Sequence, residues 1–311
     1  MPFITVDREN SGEVQLYYED HGKGQPVVLI HGFPLSGDAW EKQKYALLEG
    51  GYRTITYDRR GFGRSDKPAV GYDYDTFTAD LNQIMTKLNL KDVVLVGHSM
   101  GTGEVTRYLA KHGSDRVARA IFISPLTPYL VKAEDNPDGV DKEVFDAFQT
   151  AILDDRFVYL RDFFKDFYNS DETLGNRLSK EVMWSSWNTG SIASPKGTHD
   201  CVTAWQTDFR EDVTKIDVPS LIIQGDADRI LPIDITGRLL NEALEGSRLV
   251  VLQDAPHGIP WTHAAEINRE IMAFLAQGRR EESPEAEKRR SQAPELAFRE
   301  QIEVEEEDED L

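Results

Sequence analysis

The chain of 311 residues contains only one cysteine, Cys201. A single cysteine excludes an intrachain disulfide and a metal site built from several thiolates, and we expect Cys201 to be buried rather than nucleophilic. No apolar run approaches the roughly 20 residues that a membrane-spanning helix needs. Residues 1–10 lack the basic start and apolar stretch of a signal peptide, which favours a cytoplasmic protein without membrane contact.

Basic residues are also scarce, since 35 Lys and Arg stand against 55 Asp and Glu and give a formal net charge of −20. Because nucleic-acid binding depends on basic surface, no nucleic-acid partner is expected. Residues 279–311 alone hold six Lys/Arg and thirteen Asp/Glu, with few apolar side chains. We therefore predict a disordered or marginally helical acidic tail over 278–311. Its simplest role is solubility, and the alternative is docking to a partner through 296–298 and 302–304.

Residues 1–277 alternate short apolar runs with longer amphipathic stretches. Runs that are apolar throughout are typical of parallel strands covered on both faces, and the alternation predicts an α/β protein with a mostly parallel, doubly wound sheet. An antiparallel hairpin of 3–6 and 14–18 is expected at the edge of the sheet. The predicted strands are 26–32, 52–58, 92–97, 117–123, 219–225 and 247–253. The predicted helices are 76–89 (capped by Asp75 or Thr76), 103–112, 233–244 and 263–277.

The pattern changes between about 125 and 217, where no good parallel strand is found. Aromatic residues at helical spacing predict an inserted helical lid over the carboxyl edge of the sheet. Most of these aromatic side chains should pack the lid against the core, and a minority should line a pocket. They are Phe145, Phe148, Phe157, Tyr159, Phe163, Phe164, Phe167, Tyr168, Trp184 and Trp187.

The strongest sign of chemistry is the segment Gly97-His98-Ser99-Met100-Gly101, between a predicted strand and a predicted helix. This is the setting of a nucleophile elbow, in which a G-x-S-x-G sequence exposes the serine oxygen above the sheet. The tight turn needs small residues two positions before and two positions after the serine, which Gly97 and Gly101 provide. We therefore predict that Ser99 is a catalytic nucleophile.

A serine nucleophile needs a general base that is oriented by an acid. Asp228 and His257 each follow a predicted strand, so both side chains should lie at the sheet edge that carries Ser99. We predict a triad of Ser99, His257 and Asp228. Asp226 is the rival acid, although its simpler role is to hold its own loop, and Asp254 is interpreted as a turn residue. The remaining histidines are interpreted as structural or surface residues.

The tetrahedral intermediate of acyl transfer also needs two backbone donors. We expect them to be the N–H of Met100, which follows the nucleophile, and the N–H of Phe33, in the loop after strand 26–32. Pro34 has no N–H, and it biases Phe33 toward extended backbone, which fixes the direction of the Phe33 carbonyl. His31 is expected to hold this loop, and His31 and Pro34 are candidates for the substrate pocket.

Longer motifs indicate a family. They are HGFPL (31–35), YDRRGFGRS (57–65), GHSMGTGE (97–104), DNPDGV (135–140), SWNT (186–189), TDFR (207–210) and APHG (255–258). Together they closely resemble the cofactor-free bacterial haloperoxidases, or perhydrolases, of the α/β-hydrolase superfamily, over residues 3–277. The resemblance implies an α/β-hydrolase fold, the triad and oxyanion donors named above, no metal, haem or flavin cofactor, and a homo-oligomer. Members often carry Trp at the position of Phe33 and Phe at that of His98, so the substrate range is open.

The resemblance also implies a reaction. Ser99 is acylated by a small carboxylic acid or ester, and water then releases the acid. Hydrogen peroxide instead releases a peracid, which can oxidise bromide or chloride away from the enzyme. The Phe33 carbonyl, held by Pro34, could accept a hydrogen bond from the peroxide, although Pro follows His-Gly-x in many hydrolases of this fold.

Two other functions remain open. One is a plain carboxylesterase or lactonase, which would use the same residues with water alone. The other is a non-catalytic hydrolase-fold module that binds a ligand or a partner protein. Such modules usually lack a triad residue, and none is missing here.

Overall fold

The computed structural model describes residues 2–277. The strands of this part of the chain are β1 (Phe3–Glu9), β2 (Gly12–His21), β3 (Pro26–Ile30), β4 (Arg53–Tyr57), β5 (Val93–His98), β6 (Val117–Ile123), β7 (Ser220–Gly225) and β8 (Arg248–Leu252). They form one sheet in the order β1-β2-β4-β3-β5-β6-β7-β8. β1 and β2 are an antiparallel hairpin, β2 is antiparallel to β4, and every other pair is parallel. The predicted α/β fold, with an antiparallel hairpin at the edge of the sheet, is confirmed.

The helices alternate with the strands as predicted. They are α1 (Glu41–Glu49), α2 (Tyr74–Lys87), α3 (Met100–His112), α4 (Lys142–Tyr168), α5 (Ser170–Thr173), α6 (Lys180–Ser191), α7 (Pro195–Ala204), α8 (Arg210–Val213), α9 (Gly237–Ala243), α10 (Ile259–Thr262) and α11 (Ala264–Ala276). Of the helices within residues 2–277, none is both long enough and apolar enough to cross a bilayer. The predicted tail 278–311 lies outside the described residues.

Several helix boundaries differ from their predictions. Helix α3 begins at Met100, three residues before the predicted start at Gly103. The cap of α2 is Asp73, not Asp75 or Thr76, because the Asp73 carboxylate accepts a hydrogen bond of 2.9 Å from the Thr76 N–H. The predicted helix 233–244 is divided into a 3₁₀ turn over Ile233–Ile235 and the separate helix α9.

The centre of the sheet is closed to solvent. All six residues of β5 and all six of β7 are buried. Because successive side chains of a strand point to opposite faces, both faces of the central sheet are covered. Cys201 is also fully buried, as expected, and burial raises the pKa of its thiol.

Helices α4–α8 lie between β6 and β7 in the chain, within the segment predicted as a lid. Helix α4 is interrupted at Asp155, where φ is −155° and ψ is 92°. The Asp155 Oδ1 accepts hydrogen bonds of 3.0 Å from the N–H groups of Phe157 and Val158. Asp155 therefore acts as an N-cap for the second half of α4, so the helix consists of two segments joined at this residue.

Contacts between Cα atoms group the chain into a unit that ends at Asn268 and a second unit that begins at Arg269, within α11. The residues considered below all belong to the first unit.

Candidate active site

Ser99 lies in the sharp turn between β5 and α3, with φ of 53° and ψ of −121°. Few non-glycine residues adopt a positive φ, and such backbone often marks a functional position. A Cβ on Gly97 would lie 2.6 Å from the Gly101 carbonyl oxygen, and one on Gly101 would lie 2.3 Å from the Ile30 carbonyl oxygen. The turn therefore requires glycine at both positions, which is the physical basis of the G-x-S-x-G spacing.

Asp228 and His257 form a buried pair beside this turn. The His257 Nδ1 lies 2.8 Å from the Asp228 Oδ2, and both side chains have no exposed surface. The Asp228 Oδ1 accepts hydrogen bonds from the N–H groups of Ile230 (3.0 Å) and Leu231 (2.8 Å), which hold the carboxylate in place. Among residues 2–277, the buried His257 Nε2 has no hydrogen-bond partner, so this nitrogen is available to a reacting group.

The loops after β7 and β8 bring these two residues together. Gly225 ends β7, and a Cβ on it would lie 1.9 Å from the Ala255 carbonyl oxygen. Only glycine allows this approach, which sets the loop that carries Asp228 against the loop that carries His257.

Asp226, the rival acid, has a different environment. Its side chain is exposed, and its Oδ1 accepts a hydrogen bond of 2.7 Å from the Asp254 N–H. Asp226 thus holds the turn after β8, and Asp228 is the residue that faces His257.

Phe33 and Met100, the predicted oxyanion donors, lie in backbone that borders Ser99. A Cβ on Gly32 would lie 3.0 Å from the Cβ of Ser99, so the loop after β3 runs directly beside Ser99. In the described part of the chain, neither the Phe33 N–H nor the Met100 N–H has a protein acceptor. Both N–H groups are therefore free to bind a substrate oxygen.

His31 supports this loop from inside the protein. Its Nε2 accepts a hydrogen bond of 3.0 Å from the Arg59 N–H, which leaves the proton on Nδ1, 2.9 Å from the Gly32 carbonyl oxygen. Burial, together with the charge of Arg59, holds the pKa of His31 well below its ordinary value. The ring is therefore neutral, and its contacts are those of a structural residue.

A buried ion pair that the sequence did not predict connects the loop after β3 to α3. The Arg59 guanidinium donates to the His31 carbonyl oxygen at 2.8 Å and to the carboxylate of Glu104, which also accepts from the Tyr57 hydroxyl. Glu104 lies on α3, whose first residue is Met100. The network therefore links the elements that carry Phe33 and Met100. Arg59 and Glu104 do lie within two of the family motifs, but their pairing is a long-range contact.

His98 lies next to His257. Its Nε2 is 3.1 Å from the His257 carbonyl oxygen, to which it donates, and the two imidazole rings have centroids 5.1 Å apart. Burial and the neighbouring His257 lower the pKa of His98 well below its ordinary value. His98 is therefore a neutral residue that contacts the backbone of His257.

A cavity of about 720 Å³ reaches Ser99 and Phe33. Its volume lies within the range of small-molecule sites. His31 and Pro34 are not among its lining residues, and Pro34 instead packs near Gly190. The apolar walls comprise Leu126, Leu130, Val140, Val144, Phe145, Ala147, Phe148, Ala151, Val158, Tyr159, Phe163, Trp205, Ile230, Leu231, Pro232 and Ile235.

The lid aromatics divide into three groups. Four line the cavity, namely Phe145, Phe148, Tyr159 and Phe163. Phe164, Phe167 and Tyr168 are buried in a cluster with Leu35 and Leu178, and the partly buried Trp187 packs against this cluster. Phe157 and Trp184 are exposed, at 49% and 63%, so they neither pack against the core nor line the cavity. No group of three His, Cys, Asp or Glu residues suited to a metal ion occurs within 2–277.

Known proteins share this fold and much of this sequence. The family model for the alpha/beta hydrolase fold matches residues 25–264. A Synechocystis protein assigned provisionally as a non-heme chloroperoxidase is 57% identical, over 88% of this chain and 100% of its own length. A bifunctional esterase/perhydrolase of Acinetobacter calcoaceticus is 37% identical, over 84% of this chain and 96% of its own.

A solved structure agrees with these relatives. The crystal structure of a bromoperoxidase from Bacillus anthracis superposes with a TM-score of 0.85 at 45% identity, covering 88% of this chain and 99% of that one. The chain therefore belongs to the cofactor-free haloperoxidase family of α/β-hydrolase-fold enzymes.

Proposed function

We propose that the protein is a serine hydrolase and perhydrolase that carries an acyl group on Ser99. Water releases this group as a carboxylic acid, and hydrogen peroxide releases it as a peracid. The observation that carries the proposal is the buried His257–Asp228 pair. The Nε2 of His257 has no hydrogen-bond partner within the described residues, and Ser99, whose backbone is strained, lines a cavity. The esterase/perhydrolase relative supports both outcomes.

The first half of the reaction acylates the serine. His257 Nε2 takes the proton of the Ser99 hydroxyl as the oxygen attacks the acyl carbonyl. The N–H groups of Phe33 and Met100 donate to the resulting oxyanion, and the α3 dipole favours the same charge. When the intermediate collapses, protonated His257 gives its proton to the leaving oxygen. Asp228 stabilises the imidazolium and keeps its Nε2 directed at the reacting atoms.

The second half returns the enzyme to its starting state. His257 Nε2 removes a proton from water or hydrogen peroxide, whose oxygen attacks the acyl carbon, and the proton then returns to Ser99. Water gives the carboxylic acid, and hydrogen peroxide gives the peracid. The released peracid oxidises bromide or chloride to the hypohalous acid and becomes the carboxylic acid, so the halide needs no site on the protein.

Pro34 is the residue that we propose to favour peroxide over water. It fixes the Phe33 carbonyl, which can accept a hydrogen bond from the second O–H of the peroxide. In Pro34→Ala we expect the ratio of perhydrolysis to hydrolysis to fall severalfold while ester hydrolysis persists. An unchanged ratio would remove Pro34 from the mechanism.

The test of the function is a panel of p-nitrophenyl esters, run with and without hydrogen peroxide and bromide. We expect hydrolysis without peroxide and bromide oxidation with it. Ser99→Ala should lower kcat for both by at least about 10³-fold and abolish labelling by a fluorophosphonate. Ser11→Ala, in the turn between β1 and β2, is the control.

The outcomes separate the candidate functions. Hydrolysis without any peroxide-dependent bromide oxidation would identify a plain carboxylesterase or lactonase. Full activity in Ser99→Ala would contradict the serine mechanism itself.

A further inference from the structure

The cavity that reaches Ser99 is much larger than a short acyl group. At about 720 Å³ it has the dimensions of a site for a drug-sized ligand, and its walls are predominantly apolar. Apolar burial contributes in proportion to the area removed from water, so acyl groups that fill these walls should bind better than acetyl or propionyl groups.

The charged residues of the cavity are mostly acidic. One cation, Arg229, lines the cavity. Four carboxylates also line it, and they belong to Asp154, Asp155, Asp162 and Asp166. The last three lie seven and four residues apart on the second half of α4, which places them on the helix face that also carries Tyr159 and Phe163. Asp154, Asp155 and Asp166 are solvent-exposed, so they lie at the outer end of the cavity.

The single cation is already paired. Arg229 donates to Asp171 at 2.7 Å and 3.2 Å and to Glu172 at 2.7 Å. Neither acidic partner lines the cavity. Arg229 therefore offers little net positive charge to an anionic ligand.

Three of the four carboxylates have no ion pair. Asp162 is paired with Arg161 at 2.7 Å and with Lys165 at 2.7 Å, and these contacts lower the pKa of Asp162, so it stays ionised. Asp154, Asp155 and Asp166 have no ion pair within residues 2–277, although the charge of Asp166 also acts on Arg229. The outer part of the cavity thus carries about three carboxylates that are not paired with a cation.

We infer that, among acyl donors whose acyl groups fill these apolar walls, the cavity favours a cationic terminus over an anionic one. The inference rests on the proposed function, and it identifies the substrate class of the same site. At about 10 Å in water, each carboxylate without an ion pair strengthens the binding of a unit cation by about twofold and weakens that of a unit anion by about twofold. Each such carboxylate therefore separates a cation from an anion by about fourfold, so two of them do so by about 16-fold and three by roughly 60-fold.

Four p-nitrophenyl esters test this selectivity at low ionic strength. The 5-(trimethylammonio)pentanoyl ester is cationic, and the 6,6-dimethylheptanoyl ester is its neutral isostere. The adipoyl monoester is anionic, and the adipamoyl ester is its neutral isostere. For each pair, kcat/KM of the charged ester is divided by kcat/KM of its neutral isostere. The quotient of the cationic pair should exceed the quotient of the anionic pair by roughly 60-fold. Because salt screens exposed charges, this ratio should shrink toward 1 in 0.5 M NaCl.

Two double variants locate the effect. In Asp154→Asn/Asp166→Asn, the ratio of the two quotients should fall by about 16-fold, to about 4, since two of the three unpaired carboxylates are removed and Asp155 keeps its charge. Asp115→Asn/Asp217→Asn makes the same change in net charge at two exposed positions that precede β6 and β7, at the opposite edge of the sheet. This control should keep the wild-type ratio.

A wild-type ratio near 1, or the same reduced ratio in both double variants, would overturn the inference. A ratio that survives in Asp154→Asn/Asp166→Asn would do so as well. Failure of the proposed function would look different, because even the neutral esters would then show no turnover that depends on Ser99.

Discussion

At the scale of single residues, this site depends on three glycines, whose lack of a Cβ allows close backbone contacts. Gly97, Gly101 and Gly225 each sit where a Cβ would meet a backbone oxygen at 2.6 Å or less. The first contact closes the turn that carries Ser99, the second sets this turn against the end of β3, and the third sets the loop that carries Asp228 against the loop that carries His257. Substitution at any of the three should therefore damage the site through the backbone, without touching a reacting atom.

The assignment of Asp228, rather than Asp226, as the acid that orients His257 gives a testable prediction. In Asp228→Asn the amide cannot both hold the His257 tautomer and stabilise the imidazolium, so we expect kcat for ester hydrolysis to fall by about 10⁴-fold. Asp226→Asn keeps an oxygen acceptor for the Asp254 N–H, and kcat should stay within about twofold. Steady-state kinetics on one ester measures both variants, and the reverse order of effects would make Asp226 the acid.

At the scale of elements, the break in α4 is the feature that shapes the cavity. The segment before Asp155 contributes Phe145 and Phe148, and the segment after it contributes Tyr159 and Phe163. A straight helix of 27 residues would direct these side chains along a single line. The break allows the two segments to form different parts of the wall.

We expect Asp155→Ala to lower the free energy of unfolding by about 1 kcal/mol, because the N–H groups of Phe157 and Val158 lose their cap. Urea denaturation measures this loss. Asp154→Ala is the matched control, since the described residues give Asp154 no hydrogen bond or ion pair. Equal stability of the two variants would show that Asp155 does not cap the helix.

Sequence analysis recovers the elements that local pattern determines. The apolar runs predict β3–β8, and the G-x-S-x-G spacing predicts the elbow because its glycines are required by contacts within one turn and its neighbouring strand. The interruption at Asp155 is not predictable in the same way, because an aspartate is acceptable within a helix and only the fold favours a break there. The Arg59–Glu104 pair was missed for a related reason, since 45 residues separate the partners and only folding brings them together.

At the scale of the whole molecule, two buried neutral histidines connect stability to pH. Burial lowers the pKa of both His31 and His98, so the folded state resists protonation while the unfolded chain binds protons below about pH 6.5. The unfolded state then holds more protons than the folded state, and stability falls as pH falls through this range.

His98→Phe tests this linkage, with the residue that the resembling family often carries there. From pH 7.5 to 5.5, each neutral histidine should cost about 1.4 kcal/mol of unfolding free energy. The variant should therefore lose about 1.4 kcal/mol less than the wild type over the same interval. Urea titrations at both pH values give the four free energies. Parallel losses in the two proteins would mean that His98 is protonated in the folded state.

The interruption of α4 also bears on how this enzyme could change over evolutionary time. The backbone hydrogen-bond ladder stops at Asp155, so a substitution that shifts one segment is not transmitted rigidly to the other. The first segment lines the cavity with Phe145, Phe148 and Asp154, and the second lines it with Tyr159, Phe163 and Asp166. Each segment therefore presents apolar and acidic side chains of its own, and a descendant could alter one part of the cavity wall while keeping the other.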